Sequence, residues 1–340
     1  MKKHGIGIIG LGVGRHHLEA YLSNSRCDVR FLCDFSEEKL NTGRKMCPTA
    51  KITKDAAEVL SAEDVDIVSI ASRDCDHADQ IVGAIKNGKH VFSEKPLCLT
   101  VAELDQISCL LKENPTLQLS ANLNLRTCPR FQSVRAAVAS GQMGKVFCMK
   151  GHYLWGRSEK LTSGWRREMD FYSIILGASI HMIDLITWVI RQKPVSVCGY
   201  GNNIATRDAG FPWHDHASVV FQFGDGMVAE VSASAGCVHR HFHSLEIYGT
   251  QSTFVQNGSG AYWVESPDGQ IRSDITEYPA NNRKLEMITT FVDSIGNINV
   301  RPLINKEEVM DLMRVCFAAE EAVKSGREIK IEHETSERKK

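Results

Sequence analysis

The sequence predicts an α/β protein in two parts: an N-terminal doubly wound parallel sheet, then a second α/β region whose sheet is largely antiparallel. Three observations carry this. The first third alternates short apolar strands with helical stretches, the pattern of a parallel sheet covered by helices on both faces. A glycine cluster, Gly10-Leu11-Gly12-Val13-Gly14, separates the first strand from the first helix. In the second part, consecutive strands are joined by tight turns.

Gly5 to Gly10 is a near-continuous apolar strand and His16 to Ser23 a helix. Strand Val29 to Cys33 and helix Ser36 to Met46 follow, then strand Ile67 to Ala71 and helix Ala78 to Asn87. His90 to Phe92, helix Val101 to Lys112 and strand Leu117 to Ala121 complete the alternation. Right-handed crossovers turn it into a doubly wound sheet. Further on, Val146 to Leu154, Val195 to Tyr200, Ala217 to Phe223, Met227 to Ala233 and Ser244 to Tyr248 read as strands. Phe223-Gly224-Asp225-Gly226 supplies hairpin-turn residues between two of them. Helices are expected at Phe131 to Ser140, Phe171 to Arg191, Lys284 to Ile295 and Glu307 to Ser325. The boundaries that follow are a first domain over 1–122, a second over 123–332 and a charged tail over 333–340.

Composition narrows the function. The 340 residues are 43% hydrophobic and 24% charged, ordinary for a globular chain with two cores. Forty basic against 41 acidic residues give a net charge of −1, no excess to neutralise a phosphate backbone, so nucleic acid is not an expected partner. No membrane association is expected either. The apolar run after Met1-Lys2-Lys3 is short, Gly-rich and ends at Arg15-His16-His17, and the apolar stretch from Ser173 to Ile190 contains His181 and Asp184. Eleven cysteines without a C-x-x-C pair read as reduced thiols of a cytoplasmic protein, not a disulfide framework or zinc site.

The glycine cluster carries the first chemistry. Glycines at Gly10, Gly12 and Gly14 let the backbone turn tightly and approach a pyrophosphate, which then sits on the N–H groups that open the helix, Val13 among them. The G-x-G-x-x-G fingerprint is incomplete, because Arg15 stands at its third glycine position. Asp34 ends the second strand about twenty residues beyond the glycines, where a carboxylate accepts from both ribose hydroxyls and repels a 2′-phosphate. The expected cofactor is therefore NAD rather than NADP; the alternative role for Asp34 is to cap the helix near Ser36.

Several segments together carry a resemblance. Gly88-Lys89-His90-Val91-Phe92-Ser93-Glu94-Lys95-Pro96 resembles the signature strand of the Gfo/Idh/MocA oxidoreductases. Asn124-Leu125-Arg126-Thr127-Cys128-Pro129 resembles the family's N-x-R-x-x-P, and Gly141 to Val146 its G-x-x-G-K-V link. Trp165-Arg166, His181-Met182-Ile183-Asp184 and Arg301-Pro302-Leu303 resemble later segments, in the family's order and over nearly the whole chain. The resemblance makes the first domain an NAD-binding Rossmann domain and the second the substrate and oligomerisation domain, an α/β domain with a large open sheet whose outer face usually joins subunits into a homodimer or homotetramer. It implies a substrate lying between nicotinamide and the second domain, typically a cyclic sugar, nucleotide sugar or inositol.

Lys95, between an apolar strand and Pro96, is expected to bond a substrate hydroxyl and stabilise the developing alkoxide; a cis bond at Pro96 would fix its direction. The resemblance gives Glu94 a cofactor ribose contact and includes Asn124 among the cofactor residues. His181 is the expected proton acceptor, since a neutral imidazole titrates near working pH. Asp184, one turn on, would orient substrate or His181, and Trp165, Arg166 and Arg126 are placed at substrate. For Arg126 the alternative is a structural salt bridge.

One position departs from the family, which commonly carries Asp one turn before the His; here it is Gly177. A Gly makes room for a larger substrate group or a water, with Asp170, Tyr172 or His152 as substitutes. Ser72 and His77 match a family segment on the nicotinamide side, although His77 could instead cap the next helix. His239, His241 and His243 alternate along an extended stretch, as do His214 and His216. No metal is expected, since hydride chemistry needs none; His241 is assigned to substrate and its neighbours to an interface.

The leading reading is an NAD-dependent oxidoreductase acting on a secondary alcohol of a sugar, nucleotide sugar or cyclitol. Two others stay open. One is a glycosidase that oxidises transiently, eliminates and re-reduces with retained NAD. The other is a non-catalytic dinucleotide or sugar sensor of the same fold, a reading that Gly177 favours and that Lys95 and His181 oppose.

Overall fold

The computed structural model describes residues 3–266, 268–269, 271–279, 284–297 and 299–333, so residues 334–340 of the expected charged tail lie outside the described residues. The chain divides into two compact units, Met1–Thr127 with Ala280–Met310, and Cys128–Pro279 with Asp311–Lys340.

The first unit is the expected doubly wound layer. Its elements are β1 (His4–Ile9), α1 (Gly14–Ser23), β2 (Cys27–Cys33), α2 (Glu37–Met46), β3 (Lys51–Thr53), α3 (Ala56–Ser61), β4 (Ile67–Ile70), α4 (His77–Lys86), β5 (His90–Ser93), α5 (Val101–Glu113) and β6 (Leu119–Ala121). The six strands are all parallel in the order β3-β2-β1-β4-β5-β6. Ile6, Ile8, Ile67, Val68 and Ile70 are fully buried, which is why these strands read as continuous apolar runs. The strand order reverses between β1 and β4, and a ligand crevice opens there, at the carboxyl ends. Helix starts follow local chemistry: Ser36 caps α2 instead of beginning it, and Thr100 and Glu103 form a capping box on α5. Three-residue β3 and six-residue α3 are too short for periodicity to mark them, and neither is foreseen from the sequence.

The second unit begins with α6 (Pro129–Ala139), β7 (Val146–Leu154), α7 (Glu159–Thr162) and α8 (Ile180–Ile190). Strands β8 (Pro194–Asn202), β9 (His216–Phe223), β10 (Val228–Ser234), β11 (Phe242–Gly249), β12 (Thr253–Asn257), β13 (Gly260–Val264) and β14 (Ile271–Ser273) follow. After α9 (Lys284–Ser294) come α10 (Lys306–Ser325) and β15 (Ile329–Lys330). Nine strands run in the order β14-β13-β12-β11-β7-β10-β9-β8-β15. Every pair is antiparallel except β7 and β10, because the chain passes from β7 to the antiparallel β8-β9-β10 run through the long α8 connection and not through a hairpin. Strands β12 and β13 were unforeseen, although Asn257-Gly258 marks their turn.

Two expectations change. The helix expected from Phe171 to Arg191 starts at Ile180, preceded by a π-helical turn over Ile175–Ser179 that contains Gly177. The second domain is not continuous over 123–332: α9 packs on α1, and Phe291 lies fully buried against Phe92. An amphipathic helix goes where its apolar face finds a matching surface, which spacing along the chain does not reveal.

Candidate active site

The glycine turn is built by close approach. Gly10 has φ +88°, and a Cβ there would lie 2.3 Å from the Ala71 carbonyl oxygen at the end of β4. Gly14 starts α1 against the sheet, where a Cβ would meet Ala71 Cβ at 3.2 Å and Ile8 Cγ2 at 3.3 Å. Gly12 is different. Its Cβ direction is open, with Lys39 Nζ the nearest atom at 3.8 Å. Such a cradle fits a pyrophosphate lying on the backbone, with α1 carrying no capping side chain at Val13.

Asp34 is 9% exposed and takes the Leu11 N–H on one carboxylate oxygen at 2.7 Å and the Ser36 N–H on the other at 2.8 Å. The cap of α2 is Ser36, so Asp34 ties the glycine turn to the start of α2. Lys39 Nζ is 3.6 Å away from its carboxylate. Residues Leu11, Gly12, Arg15, Lys39, Thr42 and Gly43 line a pocket of about 300 Å³ beside it.

The Glu94-Lys95-Pro96 turn follows β5 and is held from beneath. The Lys95–Pro96 bond is cis. His77 is fully buried and its Nδ1 donates to the Pro96 carbonyl at 2.6 Å. His77 supports this turn and opens α4 instead of capping it, while its Nε2 meets no hydrogen-bond partner among the described residues. Glu94 Oε1 accepts from Asn122 Nδ2 at 2.7 Å and lies 3.2 Å from His17 Nε2, while His17 Nδ1 meets Ser69 Oγ at 2.9 Å. Burial alone would raise the Glu94 carboxyl; the hydrogen bond and charge of His17, the Asn122 amide and Lys95 outweigh it and hold it below the usual range. Sequence reasoning missed His17 and Asn122. The signal for His17 was a polar residue sharing the inward helix face with Leu18 and Tyr21.

Ser72 donates to Gln80 at 2.7 Å beside the glycine turn, and half-buried Asn124 opens a short 3₁₀ turn after β6. Arg126 makes the salt bridge that was its alternative role: it is 3% exposed, donates to the Leu303 carbonyl at 2.7 Å and pairs with Glu308 at 3.2 Å, so it anchors residues 303–308.

In the second unit, His181 sits in the first turn of α8 with its ring stacked on Tyr153 of β7, at a centroid distance of 5.6 Å and 16° between planes. Tyr153 pairs across the strands with His243 of β11. Its ring lies 4.7 Å from that of His243 and 5.2 Å from that of His241, and its hydroxyl is 3.1 Å from His241 Nε2. Burial raises the Tyr153 phenol to about 12, against a small opposing pull from Arg157 and Arg166. Burial, helped by His241, pushes His243 down to about 3, so it is neutral at working pH. Its backbone N–H donates to the Tyr278 hydroxyl at 3.2 Å, leaving that O–H to donate to Nδ1 at 2.9 Å.

The space at Gly177 is occupied: a Cβ there would lie 2.4 Å from the Tyr172 hydroxyl. The glycine makes room for this phenol, not for a larger substrate group. His152 faces elsewhere, 3.4 Å from Ser234, which also bonds His216 at 2.7 Å. Asp184, one turn after His181, is 1% exposed. Arg166 lies over the Trp165 ring at 4.1 Å and the Trp155 ring at 5.8 Å, so the Trp-Arg pair is a stacked unit. Of the two histidine rows expected, His241 and His243 come together with their rings 5.0 Å apart, and the others stand away. His239 bonds the Arg240 carbonyl, and His214 lies beside Gly201, apart from His216. Among the described residues, no group of three or more His, Cys, Asp and Glu is arranged to hold a metal ion, and no helix is long and apolar enough to cross a membrane.

The contrast between two glycines is testable. Gly10→Ala should destabilise the protein by about 1–3 kcal/mol, because the methyl meets backbone at a positive φ. Gly12→Ala should leave the melting temperature unchanged and weaken NAD(H) binding tenfold or more, about 1.4 kcal/mol or greater. Calorimetry and thermal unfolding on both variants check this.

Comparison with known proteins agrees with this geometry. The model described as the oxidoreductase family, NAD-binding Rossmann fold, matches residues 4–122, and the GFO/IDH/MocA C-terminal domain matches residues 131–255. A myo-inositol 2-dehydrogenase of Thermotoga maritima is 24% identical over 96% of this chain and 98% of its own length. Scyllo-inositol dehydrogenase from Lactobacillus casei, solved with NAD(H) and scyllo-inositol, superposes with a TM-score of 0.80 at 22% identity over 97% of this chain and 99% of its own. Levoglucosan dehydrogenase in complex with NADH and L-sorbose reaches 0.86 at 17% identity over 97% of this chain and 99% of its own. At these identities the structural likenesses show the fold. With both domain models matched in order along one chain, and with the glycine cradle and the Glu-Lys-Pro turn where that fold binds a dinucleotide, the protein belongs to the Gfo/Idh/MocA family of NAD-binding oxidoreductases.

Proposed function

We propose that the protein is an NAD-dependent dehydrogenase acting on a secondary alcohol, or in reverse a ketone, of a cyclitol, sugar or nucleotide sugar. The observation that carries this is the buttressed Glu94-Lys95-Pro96 turn, which holds an ammonium at the carboxyl end of the parallel sheet where ligands bind. The inositol and levoglucosan dehydrogenases among the relatives support the substrate class.

Gly10, Gly12, Val13 and Gly14 hold the pyrophosphate in this reading, Asp34 the adenosine ribose, and Ser72, Glu94, Lys95 and Asn124 the nicotinamide end. NAD supplies the hydride acceptor when bound. Lys95 donates a hydrogen bond to the alcohol oxygen and stabilises the negative charge that grows there. His181 takes the hydroxyl proton on its imidazole. Trp165, Arg166 and His241 orient the substrate. The eleven free thiols, six of them buried, support a reducing, cytoplasmic setting.

The outer face of the nine-stranded sheet supports assembly as a homodimer or homotetramer. It carries Tyr200 at 75%, Val195 at 40% and Val220 at 39% exposure, among half-buried His152, His216 and Tyr248.

Three outcomes test the reading. Calorimetry should show tighter binding of NAD(H) than of NADP(H), because the Asp34 carboxylate repels a 2′-phosphate; equal or tighter NADP binding would overturn this. On a panel of cyclitols and sugars followed by NADH absorbance, Lys95→Ala and His181→Ala should each lower turnover by about 10²–10⁴-fold with little change in NAD affinity. The two losses should be far from additive, since both groups act on one hydroxyl. Absence of turnover on the whole panel would favour a sensor, and product formation with no net NADH a retained-cofactor glycosidase. Light scattering at micromolar concentration should give a dimer or tetramer mass.

A further inference from the structure

We infer that Tyr153 is the positioning residue of the proton acceptor: its ring seats His181 and stabilises the imidazolium that forms when His181 takes a proton. The inference rests on the role proposed for His181. His181 stands where a proton must be accepted and then released. When the substrate O–H bond breaks and an N–H bond forms on the ring, a unit positive charge appears on a half-buried imidazole. Such a charge needs a partner, or desolvation opposes it.

These groups lie near the His181 ring. Gly177, one turn before it, contributes no side chain, and the Tyr172 hydroxyl fills that space. Asp184 follows one turn later on the same helix and is buried. The first strand of the second sheet presents Tyr153, stacked at 5.6 Å and 16°. β11 presents His243 at 6.2 Å, held neutral by burial, with its Nδ1 engaged by Tyr278. His241, just before β11, meets the Tyr153 hydroxyl through its Nε2. Arg157 and Arg166 act on Tyr153 from farther off. On the other helix that packs on α8, Arg135 of α6 lies over the Trp188 ring and bonds the Trp188 carbonyl.

Of these, Tyr153 alone offers a broad, electron-rich face within the 6 Å at which a cation over an aromatic ring is attracted. The stack also fixes the plane of the imidazole and therefore the direction of its ring nitrogens. Tyr153 is itself locked, by the β7–β11 pairing opposite His243 and by its hydroxyl on His241. A ring so restrained gives the base one orientation without occupying either of its nitrogens from the stacking side.

The experiment separates the ring from the hydroxyl. Histidine ring resonances labelled with ¹³C and ¹⁵N, with His181 assigned by their loss in His181→Ala, report the His181 pKa in the full-length protein without substrate. Tyr153→Phe keeps the π face and should leave that pKa within about 0.3 units. Tyr153→Leu removes it and should lower the pKa by about 0.4–1.5 units, the range expected for a cation over an aromatic ring at 1.36 kcal/mol per unit. The acid limb of the kcat/KM profile should then move to lower pH by the same amount, with kcat reduced about 2- to 30-fold and KM little changed. Stepwise fluorination of the ring in the Tyr153→Phe variant weakens the π face at nearly constant shape. It should lower the pKa in steps, and it keeps the test open if Tyr153→Leu does not fold. An unchanged His181 pKa across the fluorinated series, or an equal fall in Tyr153→Phe and Tyr153→Leu, would overturn the inference. Full activity in His181→Ala would instead refute the proton-acceptor role, and the titration would still measure the stack by itself.

Discussion

The carboxyl edge of the parallel sheet depends on one close approach. The end of β1 comes so near the end of β4 that a single methyl at Gly10 would lie 2.3 Å from the Ala71 oxygen. This contact sets the opening at the switch point and aims the first turn of α1. It also brings Leu11 within 2.7 Å of Asp34, so strand β2 is tied to the same loop. A dinucleotide site needs backbone N–H groups within reach of phosphate, and only a turn without side chains provides that reach.

A second theme is the depth of polar support beneath the Glu94-Lys95-Pro96 turn. Glu94 and Lys95 are half-buried, and beneath them lie buried His17, Ser69 and His77 with half-buried Asn122. Burying such groups is costly unless they are paired, and paired they are rigid. Arg126 belongs to the same class, since it fixes the returning segment at Leu303 and Glu308.

The cluster around Tyr153 is organised by aromatic rings. Tyr153, His181, His241 and His243 come from one strand, one helix, and a second strand with its approach. Two of the members, Tyr153 and His243, are shifted away from ionising near neutrality. The π turn before α8 belongs to this arrangement, because it carries Gly177 past the Tyr172 hydroxyl. Wide turns of this kind often accompany functional helices.

The sequence by itself determined the alternation of strands and helices, the glycine turn, Asp34 at the end of β2 and the Glu-Lys-Pro block. These are legible because each is a local pattern: a periodicity, a run of glycines, or a fixed distance from a strand end. What only the tertiary structure decided are the partners. The tie of Arg126 to Leu303 and Glu308 and that of His77 to the Pro96 carbonyl have no local signal in the chain. The return of α9 to α1, the parallel pairing of β7 with β10 and the stack of His181 on Tyr153 join residues 28 to about 270 positions apart. Hydrophobic pattern says which face of an element is buried, but it carries no address for the surface that buries it, and the roles of buried polar groups follow from that address.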